Sequence, residues 1–146
     1  MVFSKSFGYA LRGILYIAIM NGEKQKVQID EIAEKLSIPR HFLGKVMQEL
    51  VKNNILSSTK GPYGGFSLNE NSLKISLIAL VKITDGLELF ESCVLRLKKC
   101  NSINPCPLHK QIEHYKTELL QLFSDTSVND LLKKDKLGFI KSIATI

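Results

Sequence analysis

The sequence predicts one compact, mainly α-helical chain with a single small β-hairpin. Apolar residues recur at spacings of three and four over most of its length, which is the period of an amphipathic helix. Residues 55–69 differ, because two short runs there flank a turn rich in glycine, which is typical of a hairpin. With 146 residues, 45% of them apolar, the chain can bury a core without disulfides.

The charge of the chain favours a polyanionic partner. Its formal net charge is +6. The basic excess lies mainly in the first half, where residues 1–75 carry ten Lys and Arg against six Asp and Glu. The apolar segment "GILYIAIM" at residues 13–20 is too short to cross a bilayer and no small-residue cleavage site follows it. We therefore expect a core helix in a cytoplasmic protein, with no membrane partner.

The first predicted helix extends from a Ser4 cap to Asn21-Gly22, a suitable helix end. A second helix begins near Ile29, and Ser37 and Pro39 separate it from a third, which frays at Asn53-Asn54. The apolar faces of these helices are predicted to contain Phe3, Phe7, Ala10, Ile14 and Ile17, then Ile29, Ile32, Ala33 and Leu36, then Phe42, Leu43, Val46, Met47 and Leu50.

The second and third helices match a helix-turn-helix, although a plain helical hairpin would look the same. The segment that follows favours the first interpretation. It predicts strands at residues 55–60 and 64–69, joined by the turn "GPYGG". Helix, turn, helix and then a cationic hairpin is a winged helix, whose recognition helix enters the major groove while the wing lies beside the phosphates. A phosphate-binding loop is excluded, because no helix or P-loop lysine follows the glycines.

The pattern of apolar residues in the second half of the chain predicts further helices on either side of a polar loop. A buried helix is expected from Ser76 to Asp85, a loop over residues 90–105, and a long helix over residues 107–123. Ser127 then begins a short helix, with Asp130 placed as in a capping box. The tail from Asp135 has too little pattern to predict. We expect residues 1–75 to form the DNA-binding domain and residues 76–146 the remaining loop and helices.

The polar loop contains every cysteine of the chain. Cys93, Cys100 and Cys106 are followed by His109, and three thiolates with one imidazole are a ligand set for zinc or for an iron–sulfur cluster. The long arcs between cysteines favour a cluster over a zinc knuckle. Neighbouring cations are expected to lower the pKa of the thiols: Arg96, Lys98, Lys99 and Lys110. A thiol switch or incidental cysteines remain open as alternatives.

These features together resemble a known family. The first-helix sequence "YALRGILYIA", the wing sequence at residues 61–66 and the cysteine loop are similar to those of the IscR/NsrR/CymR family of bacterial transcriptional regulators. These are small dimeric winged-helix proteins that sense iron–sulfur status, nitric oxide or cysteine supply. The resemblance covers residues 1–134.

The resemblance implies a homodimer formed through the long C-terminal helix, which binds a palindromic operator in double-stranded DNA. It maps three cluster ligands onto Cys93, Cys100 and Cys106. In IscR-like members a [2Fe–2S] cluster takes a histidine that corresponds to His109. In NsrR-like members a [4Fe–4S] cluster takes an aspartate of the partner's first helix, and that position is Gly8 here. Since glycine offers no ligand, the [2Fe–2S] form is favoured.

The DNA contacts are expected on three elements. The recognition helix would contribute Arg40, His41, Lys45 and Gln48, the first helix Ser4, Lys5 and Arg12, and the wing Lys60 and Tyr63. Gln48 and Arg12 could equally be solvated or internally paired. Family members usually have arginine where Lys60 stands, which suits a narrow minor groove better. IscR-like members have a base-sensing glutamate where this chain has Gly44, so its operator preference is expected to differ.

Two further functions are compatible with the loop. The same fold could act without a cluster, as a thiol switch or as a CymR-like regulator docked on a metabolic enzyme. A metalloenzyme or electron carrier would need additional reactive groups, and the sequence shows no second constellation of acid, base or nucleophile beside the loop. A DNA-binding regulator that is not an enzyme is therefore the leading expectation.

Overall fold

The computed structural model describes residues 2–135 and 137–143. It consists of helices around one two-stranded antiparallel sheet, in the following order: α1 (Lys5–Met20), α2 (Ile29–Leu36), α3 (Arg40–Lys52), β1 (Leu56–Thr59), β2 (Gly65–Leu68), α4 (Leu77–Thr84), α5 (Glu88–Glu91), α6 (His109–Asp125), α7 (Val128–Lys134) and α8 (Phe139–Ile143). The mainly helical fold with one hairpin confirms the predicted fold class. No helix within the described residues is long and apolar enough to cross a membrane.

Helix α1 is the centre of the core. Ser4 caps it by accepting a hydrogen bond from the Phe7 backbone N–H at 3.3 Å, and Asn21 ends it, both as predicted. Four of the five residues predicted on its inner face are buried, whereas Phe3 is half-buried and stacks on Phe123 of α6. This helix packs against α3 and α4, so it links the first half of the chain to the second.

Helices α2 and α3 form the predicted helix-turn-helix. Ser37 ends α2 in a left-handed conformation with φ 53°, and Pro39 occupies the N-cap of α3. The prediction that Phe42 belongs to the core is wrong, since this residue is 56% exposed. The inner face of α3 is formed by Leu43, Val46, Met47 and Leu50. Phe42 lies about 100° from its neighbour Leu43 around the helix axis, on the exposed side.

The wing is a tight hairpin in which Leu56 pairs with Leu68 and Thr59 with Gly65. Val27, just before α2, extends this sheet by exchanging two backbone hydrogen bonds with Phe66, at 2.9 and 2.8 Å. The turn requires its glycines. Gly65 has φ 136°, and a Cβ on Gly64 would lie 2.0 Å from the Thr59 carbonyl oxygen.

The second half follows the predicted order with shifted boundaries. Ser76 caps α4 as expected, and the Ser127–Asp130 capping box precedes α7. The long helix begins at His109 rather than at residue 107, because residues 107–108 form a turn in which the His109 N–H donates to the Cys106 carbonyl. The short helices α5 and α8 were not predicted. None of the residues of α6 is fully buried, and Tyr115 and Leu122 are exposed.

Candidate metal centre and nucleic-acid interface

The three thiols of the polar loop converge on one point. The Sγ atoms of Cys93, Cys100 and Cys106 all lie within 4.8 Å of one another, and those of Cys93 and Cys106 are 3.8 Å apart. Asn101 folds the loop back, because its side-chain oxygen accepts the backbone N–H groups of Ile103 and Asn104 at 2.9 and 2.8 Å. This Asx turn brings the two later cysteines together.

His109 lies beside the thiols at the start of α6. Its Nδ1 is 3.3 Å from Cys100 Sγ. The turn over residues 107–108 places it there, since the backbone N–H of His109 donates to the Cys106 carbonyl at 3.0 Å. The cysteines are all half-buried and free of disulfides. The three sulfurs therefore form one group, and the His109 imidazole lies beside one of them, Cys100.

The electrostatics of the loop distinguish the thiols from one another. Hydrogen bonding from the Leu97 backbone is the largest influence on Cys93, and with further hydrogen bonds from Leu95 and the neighbouring thiols it lowers the pKa of Cys93 to about 7. The Cys106 backbone lowers the pKa of Cys100, but loss of hydration and the adjacent thiols outweigh it, so that pKa is raised. The largest lowering effect on Cys93 therefore comes from a backbone amide rather than from the cations that the sequence indicated.

A cavity of about 240 Å³ adjoins these groups. Its walls include all three cysteines and His109, together with Phe90 of α5 and Ile112, Glu113 and Lys116 of α6. Lys116 Nζ also donates to the Ser92 carbonyl, which ties the start of the loop to α6. Soft sulfur ligands with one imidazole suit zinc, copper or an iron–sulfur cluster and do not suit magnesium or calcium. The thiols and the imidazole that line this cavity therefore fit an iron–sulfur cluster.

A second concave surface lies between α3 and the wing. This groove, of about 490 Å³, brings together three of the residues predicted to contact DNA: Arg40 and Gln48 of α3, and Lys60 of the turn. Gln28 also lines it and was not predicted. Its Nε2 donates to the Pro62 carbonyl at 2.9 Å and so fastens the wing to the start of α2. No local pattern signals this contact, because the two residues are 34 positions apart.

The residues predicted to contact DNA from α3 and from the tip of the wing are solvent-accessible. Arg40 is paired with Asp30 of α2, although its side chain remains 64% exposed. His41, Lys45 and Gln48 are exposed along α3. Tyr63, at the tip of the wing, is 92% exposed. A side chain that is exposed to this extent on a turn is free to contact a partner.

The three residues predicted on the first helix have different surroundings. Ser4 is engaged with Asp85, whose carboxylate accepts its backbone N–H and its hydroxyl. Arg12 is half-buried, with its guanidinium 5.7 Å from the centroid of the Tyr9 ring, and Lys5 is exposed. All three line a shallow groove of about 500 Å³ that also contains Gly8. A phosphate contact by Ser4 would have to compete with the Asp85 carboxylate.

The chain is similar to known proteins over nearly its whole length. Residues 3–134 match the model of the Rrf2 family, described as iron-dependent transcriptional regulators. The chain is 37% identical to a protein of Aquifex aeolicus described as an HTH-type transcriptional regulator, with 90% of this chain and 92% of that protein covered. It is 33% identical to the HTH-type transcriptional regulator NsrR of Shouchella clausii, covering 94% and 93% of the two chains.

Solved structures show the same fold. CymR, the global cysteine regulator of B. subtilis, superposes with a TM-score of 0.72 at 19% identity, covering 90% of this chain and 95% of that one. IscR of T. potens superposes with a TM-score of 0.69 at 20% identity, covering 91% and 87%. At these identities the likeness concerns the fold alone. The sequence and structure comparisons together confirm the resemblance of this chain to the IscR/NsrR/CymR family.

Proposed function

This chain belongs to the Rrf2 family of transcriptional regulators, and from that premise we propose a homodimeric repressor or activator whose affinity for DNA depends on an iron–sulfur cluster. The ligands in this proposal are Cys93, Cys100, Cys106 and His109, which favours [2Fe–2S] over [4Fe–4S]. The observation that carries it is the convergence of three sulfurs within 4.8 Å. The signal would be iron–sulfur status, redox state or nitric oxide.

The four ligand residues would hold the cluster from two sides. The cysteines belong to a loop that Lys116 and the Asx turn at Asn101 hold in place, whereas His109 belongs to α6. When bound, such a cluster supplies a group that can be oxidised, nitrosylated or lost. Loss of the cluster would break the connection between the cysteine loop and His109 at the start of α6. Loop order beside α6 is then the two-state element that a sensor needs.

For DNA we propose that α3 enters the major groove and the wing contacts the backbone. The groove that contains Arg40, Gln48 and Lys60 supports this arrangement. The remaining proposed contacts are His41, Lys45, Tyr63, Ser4, Lys5 and Arg12. In this proposal residues 1–75 bind DNA, residues 76–146 sense the signal, and the protein acts in the cytoplasm, where the operator is found. We assign it no enzymatic activity, because its relatives are named as regulators.

Dimerisation through α6 is part of the proposal. In the single chain this helix leaves Tyr115 and Leu122 exposed at 66% and 59%, and an amphipathic helix with an exposed apolar side favours a partner. Two copies related by a two-fold axis would present two recognition helices, which matches a palindromic operator.

The experiment is anaerobic purification followed by measurement of iron and sulfide per chain, the visible spectrum and DNA affinity. An operator would first be selected in vitro from random duplexes. We expect iron, sulfide and colour in the parent protein, and loss of all three in a Cys106→Ala variant, together with a changed affinity. A Ser102→Ala variant in the same loop is the matched control. Retention of iron and unchanged DNA binding by Cys106→Ala would refute the proposal.

One distance favours a second candidate function. The Sγ atoms of Cys93 and Cys106 are 3.8 Å apart, close enough to form a disulfide with little movement. A hydroperoxide could accept the two electrons, so that two thiols become a disulfide with loss of two protons and the hydroperoxide becomes alcohol and water. Protein that remains colourless after anaerobic reconstitution and forms a reversible Cys93–Cys106 disulfide with a change in DNA affinity would favour this thiol switch.

A further inference from the structure

A histidine–carboxylate pair lies directly behind the thiols. His109 Nε2 is 3.2 Å from Glu113 Oε2, one turn further along α6. The other nitrogen of the same ring, Nδ1, faces Cys100 Sγ at 3.3 Å. The imidazole therefore lies between the Glu113 carboxylate on one side and the Cys100 sulfur on the other.

We propose that Glu113 is a positioning residue for the metal site. In this inference Glu113 accepts the Nε2–H of His109, which fixes the ring orientation and leaves Nδ1 unprotonated toward the thiols. It rests on the proposed function, because it explains how His109 would serve as a ligand. It also specifies Nδ1 as the ligating atom.

The burial of Nε2 supports this role. The atom is shielded from solvent and makes no hydrogen bond of good geometry to any described residue. A buried N–H without a partner is costly, so a nearby acceptor is expected to satisfy it. The Glu113 carboxylate is already within 3.2 Å, and its side chain is 63% exposed, so it can turn onto the N–H without repacking the core.

The contact between Glu113 and His109 matters because it selects the tautomer of the imidazole ring. A neutral histidine has one N–H and one lone pair, and a hydrogen bond to one nitrogen decides which tautomer is present. A carboxylate behind a ligating histidine orients the ring and increases its basicity as a ligand. No salt bridge joins Glu113 to a lysine or arginine in the described parts of the chain, and Lys116 Nζ, on the next turn of α6, donates to the Ser92 carbonyl instead.

The same helix offers a matched control. His114 and Glu118 have the same spacing, with Nε2 and Oε1 3.3 Å apart, but both side chains are about two-thirds exposed and neither lines the cavity at the thiols. Removing Glu118 therefore changes the helix charge and an equivalent side-chain pair without affecting His109.

The first measurement uses cluster-free protein with ¹⁵N-labelled histidine in mildly alkaline buffer. Long-range ¹H–¹⁵N NMR spectra would be compared for the parent, Glu113→Ala, Glu113→Gln and Glu118→Ala. We expect protonated Nε2 and bare Nδ1 at His109 in the parent and in Glu118→Ala. Glu113→Gln keeps an acceptor and should match them, whereas Glu113→Ala should show the other tautomer as well. A protonated Nδ1 in the parent, or an unchanged Glu113→Ala spectrum, would overturn the inference.

The second measurement uses anaerobically loaded protein and the rate at which a chelator removes iron. We expect release from Glu113→Ala to be about 10-fold faster than from the parent or Glu118→Ala, in line with the effect of removing an outer-shell partner. Equal rates for Glu113→Ala and Glu118→Ala would count against the inference. If the parent holds no iron, the proposed function fails, whereas the tautomer measurement still decides the role of Glu113.

Discussion

The carboxylate of Asp85 binds both polar groups of Ser4, although the two residues are 81 positions apart in the chain. Oδ2 accepts the backbone N–H of Ser4 at 2.7 Å, and Oδ1 accepts its hydroxyl hydrogen. Asp85 ends α4 and is followed by Gly86, with φ 75°, where the chain turns toward α5 and the cysteines. The first turn of α1 is thus attached to the point at which the chain leaves for the thiol loop.

The attachment predicts a measurable coupling between the two residues. We expect Asp85→Ala and Ser4→Ala each to lower the free energy of unfolding by about 1 kcal/mol, because each removes hydrogen bonds at a helix end. The double variant should cost less than the sum of the two, since both single changes break the same contact. Urea denaturation of all four proteins measures this. Strict additivity would show that the contact contributes nothing to stability.

Substitution of two adjacent residues of α3 should affect the free energy of unfolding very differently. Leu43 is fully buried, so Leu43→Ala should lower the free energy of unfolding by about 2–5 kcal/mol through lost burial and a cavity. Phe42 is 56% exposed, so Phe42→Ala should cost less than about 1 kcal/mol. Thermal or urea unfolding compares them directly. A large loss for Phe42→Ala would contradict the position of this ring.

The thiols should differ in the pH at which they react. The pKa of Cys93 is lowered to about 7 by backbone hydrogen bonds, first of all from Leu97, whereas that of Cys100 is raised. Since the thiolate is the nucleophile, alkylation of Cys93 by iodoacetamide should increase as the pH rises through about 7. Cys100 should require a higher pH. Mass spectrometry of tryptic peptides from cluster-free protein follows both, and a common midpoint would contradict the predicted difference.

Lys60 in the wing is expected to contribute to DNA binding in a salt-dependent way. If Lys60 contacts a phosphate, Lys60→Ala should weaken binding similarly for all sequences and reduce the slope of log affinity against log salt by about 1. Titration of a fluorescent random-sequence duplex at several salt concentrations measures this slope. Lys134→Ala, on α7 and outside the proposed interface, is the control. Equal slopes for both variants would remove Lys60 from the interface.

Local signals in the sequence were sufficient for most of the elements. The Ser4 cap, the left-handed glycines of the wing and the Ser127–Asp130 capping box each depend on residues within a few positions of one another, so a pattern can reveal them. The residue types and spacing of the cysteines and His109 predict a metal or cluster site, and the structure brings the three sulfurs within 4.8 Å of one another.

Local sequence patterns do not predict contacts between segments that are far apart in the chain. Phe42 and Leu43 are adjacent apolar residues on α3, and the packing of the neighbouring elements against this helix decides which of them is buried. The role of Gln28 at the wing and that of Asp85 at Ser4 depend on residues 34 and 81 positions away. The signal for Glu113 was present as an i,i+4 pair, but the same pair at His114 shows that spacing alone does not select it.

The sequence by itself therefore determined the helices other than α5 and α8, the hairpin and the family to which the chain belongs. It also predicted a set of candidate ligands in the polar loop. Only the tertiary structure decided that the three sulfurs meet within 4.8 Å, that Nδ1 of His109 faces Cys100, and that a carboxylate lies on the other side of the ring. The physical reason is that secondary structure follows from local backbone and side-chain preferences, whereas a site is formed when packing closes loops whose ends are far apart in the chain.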